Sequence, residues 1–257
     1  MNLMEKLNQK KIICPKTLKN NDGKHLSRIQ NKPASIVTFL KGKDKATLNY
    51  KNCFDIGKNI AKFHKVGTKI KLYRQNSMSI NKLGSLLKSI KFKSNKIAPK
   101  LKPTLNVCLK DIKNQWPKKL PSGIIHGDLF IDNIFFNKNK FSGFIDFYFS
   151  SNDFLMYEIA ICINALCFDK KRNSFVMNNK KIKHLIDGYE TIRTISKKER
   201  DSLNILCRGA ALRYLLTRIY DYFNTPKTAL IQIKEPNEYF QKLITHNNLN
   251  SYKDYYK

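Results

Sequence analysis

The apolar positions in the first third of the chain follow two different periods. Apolar residues at helical spacing predict a short helix over residues 1–11, which Pro15 ends because proline has no amide hydrogen to donate. Apolar residues three or four apart predict a longer amphipathic helix over Leu48 to His64. Between the two helices, a polar turn at residues 21–24 and the apolar run of residues 34–40 predict a hairpin.

The pattern in the middle of the chain is that of short strands. Ile124 and Ile125 form a small buried strand, and a polar loop over residues 126–133 follows it. Two further apolar segments, residues 134–136 and 141–145, flank the polar turn 137–140. The sequence therefore predicts a strand, a loop and a β-hairpin in immediate succession.

The rest of the chain is predominantly helical in its pattern. From Tyr157 onward apolar residues recur every three or four positions, and a long helix runs from Leu203 to about Tyr222 before Pro226 stops it. The lysine-rich stretch 88–102 is typical of a solvated loop or helix face. We therefore expect a small sheet-containing part followed by a mostly helical one.

Composition narrows the class of protein. The chain has 257 residues, of which 42% are apolar, and its formal net charge is +30. These values exclude a disordered chain, and no apolar run is long enough to predict a membrane helix. The start of the sequence has no secretory signal pattern, so we expect a cytoplasmic protein.

The positive charge raises the question of a nucleic-acid partner. Only 8 of the 49 basic residues are arginines, and the lysines are spread over most of the chain. Readers of nucleic acids usually concentrate arginine for bidentate contacts, so we expect no nucleic-acid partner, although a basic nucleic-acid-binding protein stays open as an alternative. The six cysteines never form a C-x-x-C pair, which argues against a zinc site and favours buried free thiols.

The predicted loop carries the chemistry. Its residues fit the pattern H-x-D-x-x-x-x-N, from His126 through Asp128 to Asn133, and Asp146 follows after the hairpin. Folding the hairpin about its turn places Asn133 opposite Asp146, and Phe136 opposite Gly143. An amide oxygen and a carboxylate would then converge as ligands that suit Mg²⁺, while Asp128 would be free to accept a proton from a hydroxyl.

This division of roles is typical of kinases, in which one aspartate orients and deprotonates the attacking hydroxyl. The segments 123–136 and 141–149 closely resemble the family of homoserine kinases in the aminoglycoside phosphotransferase/choline kinase superfamily. Stretches 116–121, 152–160 and 208–221 are also similar to that family. The likeness runs from about Met4 to His246.

The resemblance implies a fold, a reaction and cofactors. The fold would be α+β and protein-kinase-like, of the aminoglycoside phosphotransferase type, with an incomplete small lobe and a mostly helical large lobe. The reaction would be the ATP-dependent phosphorylation of the homoserine hydroxyl, a step toward threonine, with Mg²⁺ as the metal. The partner would be a small-molecule substrate, homoserine or a similar amino alcohol, and the oligomeric state is left open.

The resemblance also implies the roles of single residues in catalysis and metal binding. Asp128 would be the catalytic base. His126 would either act as a base or support the loop by hydrogen bonding, and we favour support. Asn133 and Asp146 would hold the metal ion.

Further residues are implied in binding the nucleotide and the acceptor. Residues 34–42 resemble the hinge strand whose backbone contacts adenine, which implies a nucleotide-binding role for Thr38, Phe39 and Leu40. Asp153 and Arg213 would contact the charged ends of the acceptor.

Two departures from the family pattern stand out. Glu158 takes the place of an aspartate found in many relatives, and the ten glycines form no phosphate-binding loop. We expect residues 1–41 to be the remnant of a nucleotide-binding small lobe, without its first strands, and residues 42–257 to be the catalytic lobe. A catalytically impaired fragment, a binding module and a kinase of another small amino alcohol are the alternatives.

Overall fold

The computed structural model describes residues 1–90, 101–226, 228–229 and 233–256. Its helices are α1 (Asn2–Gln9), α2 (Tyr50–Gly67), α3 (Ile80–Ser89), α4 (Leu101–Gln115), α5 (Leu155–Leu166), α6 (Asn179–Glu190), α7 (Lys197–Asp201), α8 (Leu203–Asn224) and α9 (Pro236–Asn247). The predicted first, second and last long helices are thereby confirmed as α1, α2 and α8. Most of the lysine-rich stretch 88–102 lies outside the described residues.

The described strands form two-stranded antiparallel sheets. They are β1 (Ser27–Ile29) with β2 (Lys32–Ala34), β3 (Ser122–Ile125) with β6 (Ser151–Phe154), β4 (Ile134–Asn137) with β5 (Lys140–Phe144), and β7 (Phe168–Lys171) with β8 (Ser174–Met177). The sheets β3–β6 and β4–β5 enclose the loop 126–133, so two pairs of strands fix both ends of that loop.

The first hairpin differs from the prediction. The predicted turn at residues 21–24 is present, with the Asn20 N–H donating to the Lys24 carbonyl oxygen at 2.8 Å, but the two-residue turn of the β1–β2 hairpin lies at Gln30 and Asn31, both with positive φ. Of the predicted strand 34–40, Ala34 pairs with Ser27, and Val37 forms an isolated bridge with Thr17. The apolar side chains of that run are largely exposed, with Phe39 at 88%. A strand needs a continuous partner, and the neighbouring segment runs alongside for too few residues to supply one. The proposed boundary at residue 41 stays a prediction.

Helices α2 and α6 cross at very close range, and two glycines allow it. A Cβ on Gly57 would lie 1.9 Å from the Leu185 carbonyl oxygen, and one on Gly188 would lie 2.0 Å from that of Phe54. Each glycine thus accepts the backbone of the other helix where any side chain would clash. This contact anchors the N-terminal half of the chain to the C-terminal half.

The buried core runs continuously through the large helical part. Helix α5 is apolar on nearly all sides, and helix α8 buries most of its length against α5, α9, α3 and α4. The six cysteines are free and buried, as the sequence predicts. Within the described ranges, no helix is both long enough and apolar enough to cross a membrane.

Candidate active site

A buried carboxylate holds the loop between β3 and β4 in place through hydrogen bonds to its backbone. Glu158, on α5, is fully buried and accepts hydrogen bonds from the backbone N–H groups of His126 and Gly127, the latter at 3.1 Å. Gly127 has a φ of 78°, and a Cβ there would lie 2.9 Å from the Phe149 carbonyl oxygen. The loop therefore turns sharply over Glu158, and glycine is needed at the turn.

His126 ties the loop to the neighbouring hairpin. Its Nε2 donates to the carbonyl oxygen of Ile145 at 2.8 Å, and its ring packs against Phe147 with 4.7 Å between centroids. The residue is fully buried, and its Nδ1 has no hydrogen-bond partner among the described residues. These contacts support a loop-bracing role for His126, and a direct part in catalysis stays a prediction.

Asp128 lies at the opening of the turn, half-buried in a cleft of about 440 Å³. Asn133, Asp146, Phe149, Arg213 and Tyr214 also line this cleft. Burial raises the pKa of the Asp128 carboxyl, while the nearby charge of Arg213 acts to lower it. A carboxylate facing a cleft of this size is placed to accept a proton from a bound hydroxyl.

Asn133 and Asp146 reach the same cleft, although not through the predicted pairing. The sequence places Phe136 opposite Gly143, but a β-bulge shifts the register, so that Gly143 faces Phe135 instead. The Ile145 N–H accordingly donates to the Asn133 carbonyl at 3.0 Å, and Asp146 lies one residue beyond. The predicted register was wrong because one extra residue is accommodated on β5, which a count about an ideal turn omits.

The free oxygens of this pair suit a hard cation. The Asn133 Nδ2 donates to the Asp128 carbonyl oxygen at 2.8 Å, which leaves the amide oxygen as an acceptor. Asp146 has a left-handed backbone, and its Oδ1 accepts the Tyr148 N–H at 3.2 Å, which leaves Oδ2 available. Among the described residues, no group of three or more His, Cys, Asp and Glu side chains could hold a metal. One amide and one carboxylate nevertheless match the few protein ligands that Mg²⁺ takes beside phosphate oxygens.

Arg213 contributes a buried positive charge. It is 2% exposed, and its guanidinium lies 4.7 Å from the ring centroid of Tyr214 and 5.6 Å from that of Phe149. Although burial disfavours the charged form, Tyr214, Tyr157 and Asp128 raise the pKa of Arg213. Its Nε is buried without a hydrogen-bond partner among the described residues, and the side chain lines the cleft, so its positive charge acts on an anionic group bound there.

The other predicted acceptor residue lies outside the lining of this cleft. The Asp153 carboxylate accepts a hydrogen bond from Asn76 Nδ2 at 2.6 Å and another from the Phe154 N–H at 2.7 Å. Burial raises the pKa of Asp153. Its partners thus tie the loop before α3 to strand β6, and contact with substrate stays a prediction.

The predicted adenine-binding residues lie beside strand β4. The N–H of Thr38 donates to the Lys16 carbonyl oxygen at 2.8 Å, and the Phe39 ring approaches the Phe135 ring edge-on at 6.4 Å. Thr38, Phe39 and Leu40 do not line the cleft of Asp128, and Phe135 is two residues from Asn133. The nucleotide-binding role of the three residues stays a prediction.

Sequence reasoning missed the groups that hold the loop. It identified Glu158 only as a departure from the family pattern. It named His64 only as the end of a predicted helix, whereas His64 Nε2 lies 3.9 Å from a Glu158 oxygen and its Nδ1 contacts the Tyr189 hydroxyl at 2.8 Å. The partners in these contacts are 31 to 125 positions apart in the sequence, so no local pattern could have revealed them.

Known phosphotransferases are similar to this chain in sequence over most of its length. A profile of the phosphotransferase enzyme family matches residues 1–191. The homoserine kinases of Allorhizobium ampelinum and Rhodospirillum rubrum are each 39% identical over 246 residues, which cover 96% of this chain and 76% of each relative.

Two solved structures share the fold at much lower identity. An amicoumacin kinase in complex with AMP-PNP and Ca²⁺ has a TM-score of 0.69 and 12% identity, and covers 99% of this chain and 75% of its own. A choline kinase from Cryptosporidium parvum has a TM-score of 0.65 and 13% identity, and covers 98% of this chain and 76% of its own. The predicted α+β fold of the aminoglycoside phosphotransferase type is confirmed. The chain belongs to the phosphotransferase enzyme family, and within that family to the homoserine kinases.

Proposed function

We propose that the protein transfers the γ-phosphoryl group of ATP to the side-chain hydroxyl of homoserine. The observation that carries the proposal is the convergence of Asp128, Asn133, Asp146 and Arg213 on one cleft. A kinase needs a base, ligands for the metal on the nucleotide and a charge for the acceptor, and these residues supply each. The 39% identity to homoserine kinases over most of the chain supports this acceptor.

Asp128 acts on the acceptor hydroxyl. Its carboxylate accepts the proton as the hydroxyl oxygen forms a bond to the γ-phosphorus. The bond between that phosphorus and the β–γ bridging oxygen breaks, so the products are ADP and O-phosphohomoserine. The protonated Asp128 then releases its proton to solvent through the open side of the cleft.

Asn133 and Asp146 would hold Mg²⁺ through the amide oxygen of Asn133 and the Oδ2 of Asp146. When it is bound, the ion neutralises negative charge on the nucleotide phosphates. The protein's own contribution is to keep both side chains at the cleft of Asp128, and the hydrogen bond from Asn133 to the Asp128 carbonyl fixes Asn133 there.

The acceptor carries two charged groups besides its hydroxyl. We assign its carboxylate to Arg213, whose buried Nε lacks a partner among the described residues. A guanidinium forms strong, directional hydrogen bonds with a carboxylate, especially where water is excluded. Asp153 stays the proposed partner of the ammonium group.

The nucleotide base would lie against Thr38, Phe39 and Leu40, next to Phe135 on β4. The exposed ring of Phe39 offers an apolar face there. We also propose a cytoplasmic location, in which six free cysteines remain reduced.

The test is to incubate the protein with ATP, Mg²⁺ and homoserine, and to identify the product by ³¹P NMR. A phosphomonoester signal that coincides with O-phosphohomoserine is expected. Serine, ethanolamine and choline are tested as competing acceptors. Preferential phosphorylation of one of them over homoserine would show that the protein is a kinase of another amino alcohol. Tight ATP binding without transfer to any acceptor would favour a binding module instead.

A further inference from the structure

A tyrosine on helix α8, Tyr214, contacts the loop 126–133 at Gly127 and Asp128. The hydroxyl of Tyr214 shares its single proton between two acceptors, the carbonyl oxygen of Gly127 at 3.1 Å and Oδ1 of Asp128 at 3.3 Å. The two acceptors belong to adjacent residues of the loop, 86 and 87 positions away in sequence. One hydroxyl thus connects the backbone turn and the side chain of Asp128.

The ring of Tyr214 is braced on several sides, so the direction of its hydroxyl is fixed. Phe130 meets it edge-on at 4.8 Å, Tyr239 packs on it at 5.3 Å, and the Arg213 guanidinium lies 4.7 Å from its centroid. The residue is 6% exposed. Burial also raises the pKa of Tyr214, so its hydroxyl remains a donor.

We propose that Tyr214 is a positioning residue for phosphoryl transfer, holding Oδ1 of Asp128 so that Oδ2 faces the acceptor hydroxyl. The terminal torsion of an aspartate is broad, so a single well-placed donor decides which oxygen faces the cleft. The glycine at 127 adds backbone freedom that the same hydroxyl restrains. This inference rests on the proposed function in one respect, namely that Asp128 accepts the proton of the acceptor.

The same aromatic cluster provides a matched control. Tyr239 is fully buried and packs against Tyr214, yet its hydroxyl has no hydrogen-bond partner among the described residues. Replacing either tyrosine by phenylalanine removes one oxygen atom and keeps the ring. Only Tyr214→Phe removes a contact to the loop.

The experiment compares Tyr214→Phe and Tyr239→Phe with the unmodified protein in steady-state kinetics. We expect Tyr214→Phe to lower kcat for homoserine phosphorylation about tenfold to a hundredfold, because small displacements of a reacting group have effects of that order. The KM values for homoserine and ATP should stay within about twofold, since ground-state contacts are untouched. Tyr239→Phe should match the unmodified protein in both constants.

A second measurement does not depend on the acceptor. Backbone ¹⁵N relaxation should show lower order parameters for the amides of Asp128 and Leu129 in Tyr214→Phe, and unchanged ones in Tyr239→Phe. If the unmodified protein fails to phosphorylate homoserine, the proposed function fails, and relaxation alone decides the role of Tyr214. An unchanged kcat in an active Tyr214→Phe enzyme overturns the inference, as do unchanged order parameters in the absence of turnover.

Discussion

Replacing Glu158 by glutamine tests whether the buried carboxylate under the loop supports catalysis. The glutamine keeps the shape, but its amide has one oxygen and one NH₂ group where the carboxylate offers two acceptors. The N–H groups of His126 and Gly127 both reach Oε2, that of Gly127 at 3.3 Å, and Gly127 also donates to Oε1 at 3.1 Å. In the variant the NH₂ group replaces one of these two acceptors, so a donor then faces a donor. Hydrogen bonds to a charged group contribute about 1.5–3 kcal/mol, and an unsatisfied buried donor costs about 1–3 kcal/mol.

We therefore expect Glu158→Gln to lower the free energy of unfolding by about 3 kcal/mol. For a chain of this size that corresponds to a fall in Tm of roughly 6–12 °C. The same change lets the loop move away from its position, so kcat should fall about a hundredfold. Urea unfolding and steady-state kinetics at a temperature where the variant remains folded measure the two effects separately.

Glu199 supplies the control. It is also fully buried, and it accepts hydrogen bonds from the Ser196 N–H at 3.0 Å and from Arg193 at 2.8 Å. Because it lies outside the cleft lining, Glu199→Gln should reduce stability to a similar extent and leave kcat unchanged. If Glu158→Gln has the same kcat as Glu199→Gln, the loop does not depend on the carboxylate and the reasoning is refuted.

Three further predictions concern the metal, the acceptor and pH. Asp146→Ala should abolish calorimetric binding of Mg-ATP and Asn133→Ala should weaken it; unchanged affinity in both would contradict the metal assignment. Arg213→Lys, which keeps the charge but loses the guanidinium geometry, should raise the KM for homoserine about tenfold or more and leave that for ATP unchanged. Burial, with Lys242 and Arg208 nearby, lowers the pKa of His246 to about 3. Because the unfolded chain then takes up a proton at this residue below about pH 6.5 and the folded chain does not, His246 should contribute a loss of about 2 kcal/mol in the free energy of unfolding between pH 8 and pH 5. Urea titrations of the unmodified protein and of His246→Gln should differ in their pH dependence by this amount, and identical profiles would contradict it.

Local sequence patterns predicted the catalytic segment well. The strand, the loop 126–133 and the hairpin appear in the structure in that order, because turn formers and short apolar runs each act over a few residues. The predicted pairing of Asn133 with Asp146 was wrong, because it depended on the register of strands β4 and β5. A bulge near Phe136 shifted the register by one residue, yet the left-handed backbone at Asp146 still brings that carboxylate to the cleft.

The contacts that support the loop 126–133 could not be predicted from local sequence patterns. Glu158 and Tyr214 reach the loop from α5 and α8, and their contacts depend on how those helices pack against the strands. Residues five apart on an α-helix are rotated by about 140°, so the arginines at 208, 213 and 218 cannot all face one site. In the structure Arg213 and Arg218 both line the cleft, whereas Arg208 pairs with Asp111 and Asn247 elsewhere.

The extended segment 34–40 shows where propensity alone fails. Its apolar residues have strand-like preferences, but a strand forms only where a partner supplies hydrogen bonds along its length. In the described structure Ser27 pairs with Ala34, and the rest of the segment pairs only with residues around Thr17. Ile36 and Phe39 therefore remain exposed on the surface.

The most direct test of the central claim compares the unmodified protein with Asp128→Asn under identical conditions. Asparagine has nearly the size of aspartate but cannot accept the hydroxyl proton. The account predicts that transfer of phosphate from γ-³²P-labelled ATP to homoserine falls at least a thousandfold, while calorimetry shows Mg-ATP bound with unchanged affinity. Near-normal transfer by Asp128→Asn would contradict the assignment of Asp128 as the base, and with it the proposed mechanism.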